Sequence, residues 1–326
     1  MAYALFPGCK IPFYVPHYET AVRAVMGSLG IGMVDLEFNC CGYPMRHHDF
    51  GSAVLAGARN MALAAREGLE IITPCKCCFG TLKHAVHALE TSPDLRKMVE
   101  TELGEEGLSL PAEPQVHHLL TVLRDGMGLD KLKEHIIKPF YGLKTAVLYG
   151  CHALRPSEIT GFDDPLNPTL FDSLVELTGA KSLDWPGRLS CCGGPLWEKN
   201  EELSLKLAGD RLAEAAGAGA DFLSVACTYT QFQMERGLKA LDSQEVGAFG
   251  GSILFPQLLG LALGLSPESL GLERNLDGAA LERLLSFQTP PPEPEPKEKK
   301  KPKAKPKKEE GPKPAPSSEK AGGTPA

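Results

Sequence analysis

The chain lacks any stretch able to cross a bilayer as a helix. Its longest apolar segment, Ile253–Leu265, is interrupted by Pro256, Gly260 and Gly264 and is too short. The opening Met1-Ala2-Tyr3-Ala4-Leu5-Phe6-Pro7 has no basic residue, so no secretory signal is expected. No Gly-x-Gly-x-x-Gly follows a strand-like run, which leaves no obvious flavin or nicotinamide site. A Cys-x-x-Cys-x-x-Cys-x-x-x-Cys-Pro ferredoxin run is missing as well. The net charge of −7 is mild and carries no nucleic-acid footprint. A cytoplasmic protein is the expectation, in a compartment where thiols stay reduced and clustered cysteines bind metal or do redox work.

What the chain does have is cysteine, ten residues in two matched patterns. Asn39-Cys40-Cys41-Gly42-Tyr43-Pro44 returns as Ser190-Cys191-Cys192-Gly193-Gly194-Pro195. Each doublet has an upstream cysteine after a glycine that ends an apolar run, Cys9 and Cys151. Each has a downstream cysteine closing another apolar run, Cys75 and Cys227. The upstream spacing is 31 residues in the first copy and 40 in the second, and the downstream spacing is 34 and 35. Cys77 and Cys78 sit beside Cys75 and complete the ten. A duplicated site is the simplest reading.

The surrounding pattern alternates strand and helix. Tyr3–Pro7, Met33–Phe38 and Leu69–Pro74 read as strands that run toward Cys9, the first doublet and Cys75. His17–Gly27 and Thr81–Leu89 read as helices, and Phe50, Val54, Ala58, Met61 and Ala65 mark one face of another. The second copy repeats the order with Lys144–Gly150, Thr169–Thr178, Lys181–Trp185, a helical face at Leu205, Ala208, Leu212 and Ala215, the strand Phe222–Ala226 and the helix Tyr229–Gly237. Gly251–Gly264 is expected to close the fold as a strand and helix. The predicted architecture is therefore α/β, with two similar strand–helix halves whose cysteine-bearing strand ends face each other. In such sheets the carboxyl ends of the strands line one edge, where ligand sites form.

The predicted domains are a first α/β unit over 1–90, a helical connector over 91–143 built on Val116–Arg124 and Leu129–Ile137, and a second α/β unit with its closing segment over 144–288. Residues 289–326 differ in kind. They hold ten lysines, six glutamates and eleven prolines, with no aromatic or large aliphatic residue, and read as a disordered tail of net charge +4.

Thiolates at several strand ends can converge on a soft metal centre. Gly8, Gly42 and Gly80 would keep side chains away and let backbone N–H groups reach the sulfurs. A single structural zinc takes four ligands and is the main competitor, because five or six cysteines exceed its need. A thioredoxin-like dithiol at Cys75 and Cys78 would leave the other cysteines without a role. Scattered core cysteines do not produce two matched patterns. His152, His47 and His48 are candidate proton donors, and Arg46, Arg155 and Arg188 are candidate anion contacts near the cysteine edge.

The pattern Cys9, Cys40-Cys41-Gly42, Cys75-x-x-Cys78, duplicated, resembles the cysteine-rich CCG-domain family, and within it the B subunits of heterodisulfide reductases. The likeness covers about residues 2–270 and includes Tyr149-Gly150-Cys151-His152-x-x-Arg155-Pro156 and the run from Pro256 to Gly264. The resemblance implies a catalytic iron–sulfur protein, working within a complex, that reduces a disulfide of a thiol cofactor or small protein to two thiols. It implies a non-cubane [4Fe–4S] cluster on Cys9, Cys40, Cys41, Cys75 and Cys78, and a second centre on Cys151, Cys191, Cys192 and Cys227. His152 would serve the chemistry. Partners would be an iron–sulfur protein like the C subunits of these reductases and a flavin protein like their A subunits. The alternative is a CCG-type electron-transfer subunit of a flavin oxidoreductase for glycolate, lactate or succinate, without disulfide cleavage. One departure stands out: Thr230 occupies the place of the last cysteine in the second copy. The second site would then be a cubane, an altered cluster or zinc.

Overall fold

In the computed structural model, residues 2–241, 247–291 and 311–316 are described. Residues up to Pro290 form one compact unit. The remainder forms a second unit, of which the described 311–316 carry no helix or strand; the rest of the predicted tail lies outside the described residues.

Two four-stranded parallel sheets organise the first unit. One contains β1 (Ala2–Leu5), β2 (Gly32–Val34), β3 (Ile71–Thr73) and β4 (Val116–His118). The other contains β5 (Lys144–Leu148), β6 (Lys181–Leu183), β7 (Phe222–Val225) and β8 (Ser252–Leu254). Strand order is β2-β1-β3-β4 in one and β6-β5-β7-β8 in the other, so the duplication read from cysteines is a duplication of topology. In each, the first strand pairs in parallel with the second on one side and the third on the other. The chain reverses its direction of winding there, and the loops after these strands open a crevice at the carboxyl edge.

The helices follow from sequence periodicity and local caps. Among the described residues those of eight or more residues are α1 (Pro16–Ser28), α2 (Phe50–Arg66), α3 (Lys76–Thr91), α4 (Pro93–Glu105), α5 (Leu170–Leu177), α6 (Glu201–Gly217), α7 (Thr228–Ala240), α8 (Phe255–Ala262) and α9 (Gly278–Ser286). Asp49 caps α2 by accepting from the Ser52 N–H, and Val54, Ala58 and Met61 bury as the spacing predicts. Phe50 does not; it is 53% exposed at the mouth of a cleft. One continuous apolar core runs through both halves. Among the described residues no helix is long and apolar enough to cross a membrane.

Three expectations need correction. The segment 91–143 is helical over 93–105 and 119–134 but is more than a connector: Val116–His118, predicted as the start of a helix, pairs with β3 and completes the first sheet, matching β8 in the second. Helix α3 starts five residues before the predicted Thr81, so Cys77 and Cys78 lie in its first turn and not in a loop. Strand β2 ends at Val34, short of the predicted Phe38, and leaves a longer irregular approach to the first doublet.

Candidate functional site

The irregular approach is held from α2. Buried Asn60 accepts from the Asn39 N–H at 3.0 Å and donates to the carbonyls of Asn39 and Cys40 at 3.3 Å each. A three-bonded side chain thus fixes the approach to the doublet where no strand ladder does. In the second half Ser204 of α6 does a lighter version of this, donating to the Gly193 carbonyl at 2.9 Å.

Cys75 and Cys227 occupy equivalent places, as extended N-cap residues of α3 and α7. The carbonyl of Pro74, one residue before Cys75, accepts from the Tyr18 hydroxyl at 2.6 Å and lies 3.1 Å from Nε2 of His118. His118 stands at the end of β4 and is fully buried. Burial first, and then the Lys76 ammonium, push its pKa down to about 3, so the ring is neutral. Its Nδ1 accepts from the Leu120 N–H, which assigns the proton to Nε2. The strand that sequence periodicity did not mark therefore supplies a histidine that buttresses the turn into Cys75.

All ten cysteines are free thiols that line two small adjoining cavities of about 20 Å³ each. Cys9, Cys40, Cys41, Cys75, Cys77 and Cys78 line the first, together with Lys10, Tyr43 and Tyr229. Cys151, Cys191, Cys192 and Cys227 line the second, with Cys77, Lys76, His152 and Thr230. Every cysteine singled out by spacing is thus brought to one of two places. Among the described residues no group of three or more His, Cys, Asp or Glu side chains is arranged to hold a single ion. No carboxylate lines either cavity. A donor set dominated by thiols, with His152 the one imidazole, spread around a cavity wall fits a soft, multi-atom centre of the iron–sulfur kind.

The doublets and their upstream cysteines perturb one another in the same sense in both halves, whereas the equivalent Cys75 and Cys227 shift down and up respectively. Cys40 is pushed down to about 2, first by the Cys41 thiol and then by Cys9. Cys191 is pushed down to about 2 by Cys151 and then Cys192. The partners shift the other way: Cys41 rises to about 12, chiefly through Cys40, and Cys9 and Cys151 are raised by Cys40 and Cys191 respectively. Each doublet thus has one sulfur that its neighbours make the natural thiolate, and Cys75 is also pushed well down, first by Cys227 and then by Cys77 and Cys78. Backbone donors support the doublets, with the N–H of Gly193 3.4 Å from Cys191 Sγ and that of Gly194 3.4 Å from Cys192 Sγ.

Glycine explains two close approaches. Gly8 has φ +75°, and a Cβ there would lie 2.7 Å from Cys78 Sγ. At Gly80 a Cβ would lie 2.3 Å from the His152 carbonyl oxygen, so this residue lets the two halves meet. The expected role of Gly80, exposing an N–H to sulfur, is replaced by that packing role because it sits inside α3.

His152 lies at the junction. Its Nδ1 is 3.3 Å from Cys151 Sγ and 3.8 Å from Cys77 Sγ, and its Nε2 is 3.5 Å from Arg46 Nη2. Burial and then Arg46 lower its pKa, which keeps it neutral. Arg46 lies over the Tyr43 ring at 4.2 Å and donates to His47 Nε2. It also lines a cleft of about 280 Å³ with His47, Phe50 and His84. His48 is exposed. Arg155 and Arg188 are used elsewhere: Arg155 donates to the Pro165 carbonyl, and Arg188 pairs with Asp172 at 2.9 Å and donates to the Pro168 carbonyl.

Sequence reasoning passed over Lys76. It is 3% exposed, its ammonium donates to the carbonyls of Leu148 at 3.1 Å and Tyr149 at 3.0 Å, and it lies 4.7 Å from the Phe171 ring centroid. Desolvation brings its pKa down to about 8, opposed by surrounding thiols led by Cys227. The local signal was partial: Cys75-Lys76-Cys77-Cys78 sets a lysine among site cysteines, but its burial comes from the second half, whose carbonyls it binds.

With this geometry in place, likeness to known proteins decides the family. The Cysteine-rich domain (CCG) family matches residues 3–83 and 145–235, the two thiol-bearing halves. The chain belongs to the CCG cysteine-rich domain family. It is 34% identical over 278 residues to a Methanosarcina acetivorans protein named as the B subunit of a ferredoxin/F420H2-dependent CoB-CoM heterodisulfide reductase, spanning 83% of this chain and 92% of that one. It is 30% identical over 279 residues to a Wolinella succinogenes protein named 8-methylmenaquinol:fumarate reductase membrane anchor subunit, spanning 84% and 96%. A crystal structure of a hypothetical protein from Helicobacter pylori shares the fold, with a TM-score of 0.64 at 19% identity. That match takes in 83% of this chain and 51% of that one, so the CCG chain spans about half of the solved protein.

Proposed function

We propose that this CCG protein is the disulfide-reducing iron–sulfur subunit of a heterodisulfide reductase-like complex. The observation that carries the reading is the pair of adjoining thiol-lined cavities, whose sulfurs approach to 3.9 Å between Cys77 and Cys227. Cys9, Cys40, Cys41, Cys75 and Cys78 would hold a [4Fe–4S] cluster, of non-cubane type by family resemblance. Cys151, Cys191, Cys192 and Cys227 would hold the second centre. Such centres supply electrons one at a time, and the net change is RSSR′ + 2 e⁻ + 2 H⁺ → RSH + R′SH.

The chain's own side chains do the rest. Lys76 offsets the negative charge of the thiolates without access to water. His152, neutral and within reach of two sulfurs, is placed to carry a proton toward a departing thiolate. Arg46, fixed on Tyr43 and open to the adjoining cleft, suits an anionic substrate end. Electrons would come from an iron–sulfur partner of the C type, fed by a flavin partner of the A type, since no dinucleotide motif is present in this chain.

The competing reading is an electron-transfer protein that cuts no disulfide. Thr230 favours it, as does similarity to a relative named for fumarate reductase. The two part company in a turnover assay. The complex, purified anaerobically and supplied with reduced viologen, should release two thiols per disulfide consumed from a panel of small and protein disulfides. Iron-loaded complex that passes electrons to a dye but releases no thiol contradicts disulfide reduction and supports the competitor.

A further inference from the structure

Five cysteines in the first half satisfy the family pattern, and Cys77 is left over. In the second half the pattern is one thiol short, because Thr230 stands at the last position. These two irregularities meet in space. Cys77 lines the cavity of Cys151, Cys191, Cys192 and Cys227, the same cavity that Thr230 lines. Its sulfur lies 3.9 Å from Cys227 Sγ and 3.8 Å from His152 Nδ1, and the residue is 6% exposed.

The internal repeat explains how it gets there. Helices α3 and α7 start from the equivalent residues Cys75 and Cys227, so Lys76 corresponds to Thr228, Cys77 to Tyr229 and Cys78 to Thr230. Each helix start reaches across the junction. Thr228 lines the cavity of the first half and Lys76 that of the second, while Cys77 and Tyr229 stand at the junction and line both. A side chain at the position of Cys77 is therefore delivered by the duplicated turn to the junction, within reach of the opposite half's thiols, as the 3.9 Å approach to Cys227 Sγ shows. In the second half that place holds a tyrosine, which reaches toward a site already supplied with five thiols.

We propose that Cys77 is a ligand of the second half's metal centre, contributed by the first half, and that it stands in for the thiolate Thr230 cannot provide. The second donor set is then Cys77, Cys151, Cys191, Cys192 and Cys227. A hydroxyl is a far weaker donor to a soft metal than a thiolate, so the substitution matters for metal retention. The proposal rests on the reading that both cavities hold clusters.

The test uses the full chain, loaded anaerobically with iron and sulfide and followed by metal content, EPR and Mössbauer spectra. Cys41→Ser and Cys192→Ser mark which signals belong to the first and second centres. Cys77→Ser and Cys77→Ala should alter or lose the signal marked by Cys192→Ser and keep the one marked by Cys41→Ser. The double change Cys77→Ser with Thr230→Cys should restore it, because sulfur returns to the same cavity from the other side. Spectra of Cys77→Ser identical to wild type overturn the proposal, as does loss confined to the first centre's signal. Should the single variants fail to fold, the double variant decides: a restored second signal supports the assignment and a missing one overturns it. A wild-type chain with two cluster signals that ignore Cys77 sinks this assignment alone. A wild-type chain that takes up no acid-labile sulfide sinks the cluster reading with it.

Discussion

The two halves of this molecule share strand order, helix placement and the position of every doublet, yet differ in how each site is held and what it offers to a metal. In the first, Asn60 binds the doublet with three hydrogen bonds and the helix start carries Cys77 and Cys78. In the second, Ser204 makes one bond to Gly193, and the helix start carries Tyr229 and Thr230. The fold tolerates loss of a sulfur because the strand and helix ends are set by core packing, not by the thiols. The chemistry does not tolerate it equally, and the junction between halves is where the shortfall is met.

The asymmetry can be pressed at its tightest point. α3 passes the second half with a glycine, whereas the matching place in α7 is Phe232, which packs on Tyr14 and Trp197 with centroids 4.7 and 4.8 Å apart. Gly80→Ala sets a methyl against the backbone oxygen of His152, which has no flexible end to yield. We expect about 3 kcal/mol of lost stability by denaturant unfolding, together with weaker protection of His152 and Cys151 from alkylation or exchange. Unchanged stability would mean that the halves are not in contact there.

Next come the doublet supports. Asn60→Ala orphans a buried N–H and two carbonyls, and should cost about 2 to 3 kcal/mol. Ser204→Ala removes a donor to one carbonyl and should cost about 1 kcal/mol. Equal costs, measured side by side, would erase the difference drawn here between the two grips.

The first half also carries a buried histidine whose proton affinity links folding to pH. His118 is depressed to about 3 in the folded chain against about 6.5 when unfolded. The unfolded state therefore binds the proton first, and stability is present above pH 6.5 and lost as pH falls toward 3. By pH 5 this single group should remove about 2 kcal/mol relative to neutral pH. In His118→Gln that part of the slope should disappear, whatever the variant's absolute stability; an unchanged slope would contradict the assignment.

Much of this was legible from the chain. The duplicated cysteine spacing announced both halves, and apolar runs ending at Cys9, Cys75, Cys151 and Cys227 located four strand ends. What escaped notice had physical causes. Val116-His117-His118 is three residues long and polar on two of them, so no alternation marks it as a strand. It becomes one by pairing with β3, a tertiary choice. Helix α4 was hidden because Pro93 read as punctuation, although Ser92 caps the helix and proline suits its first position. Lys76 went unmarked because its burial is a tertiary effect, produced by the closure of the second half over α3.

The most direct test is the iron and acid-labile sulfide content of the anaerobically loaded chain, measured for wild type and Cys41→Ser together. The account expects iron and sulfide in comparable amounts in wild type, with Cys41→Ser losing the first cavity's share and keeping the second's. Zinc without sulfide, or a Cys41→Ser chain that keeps all of its iron, would contradict it.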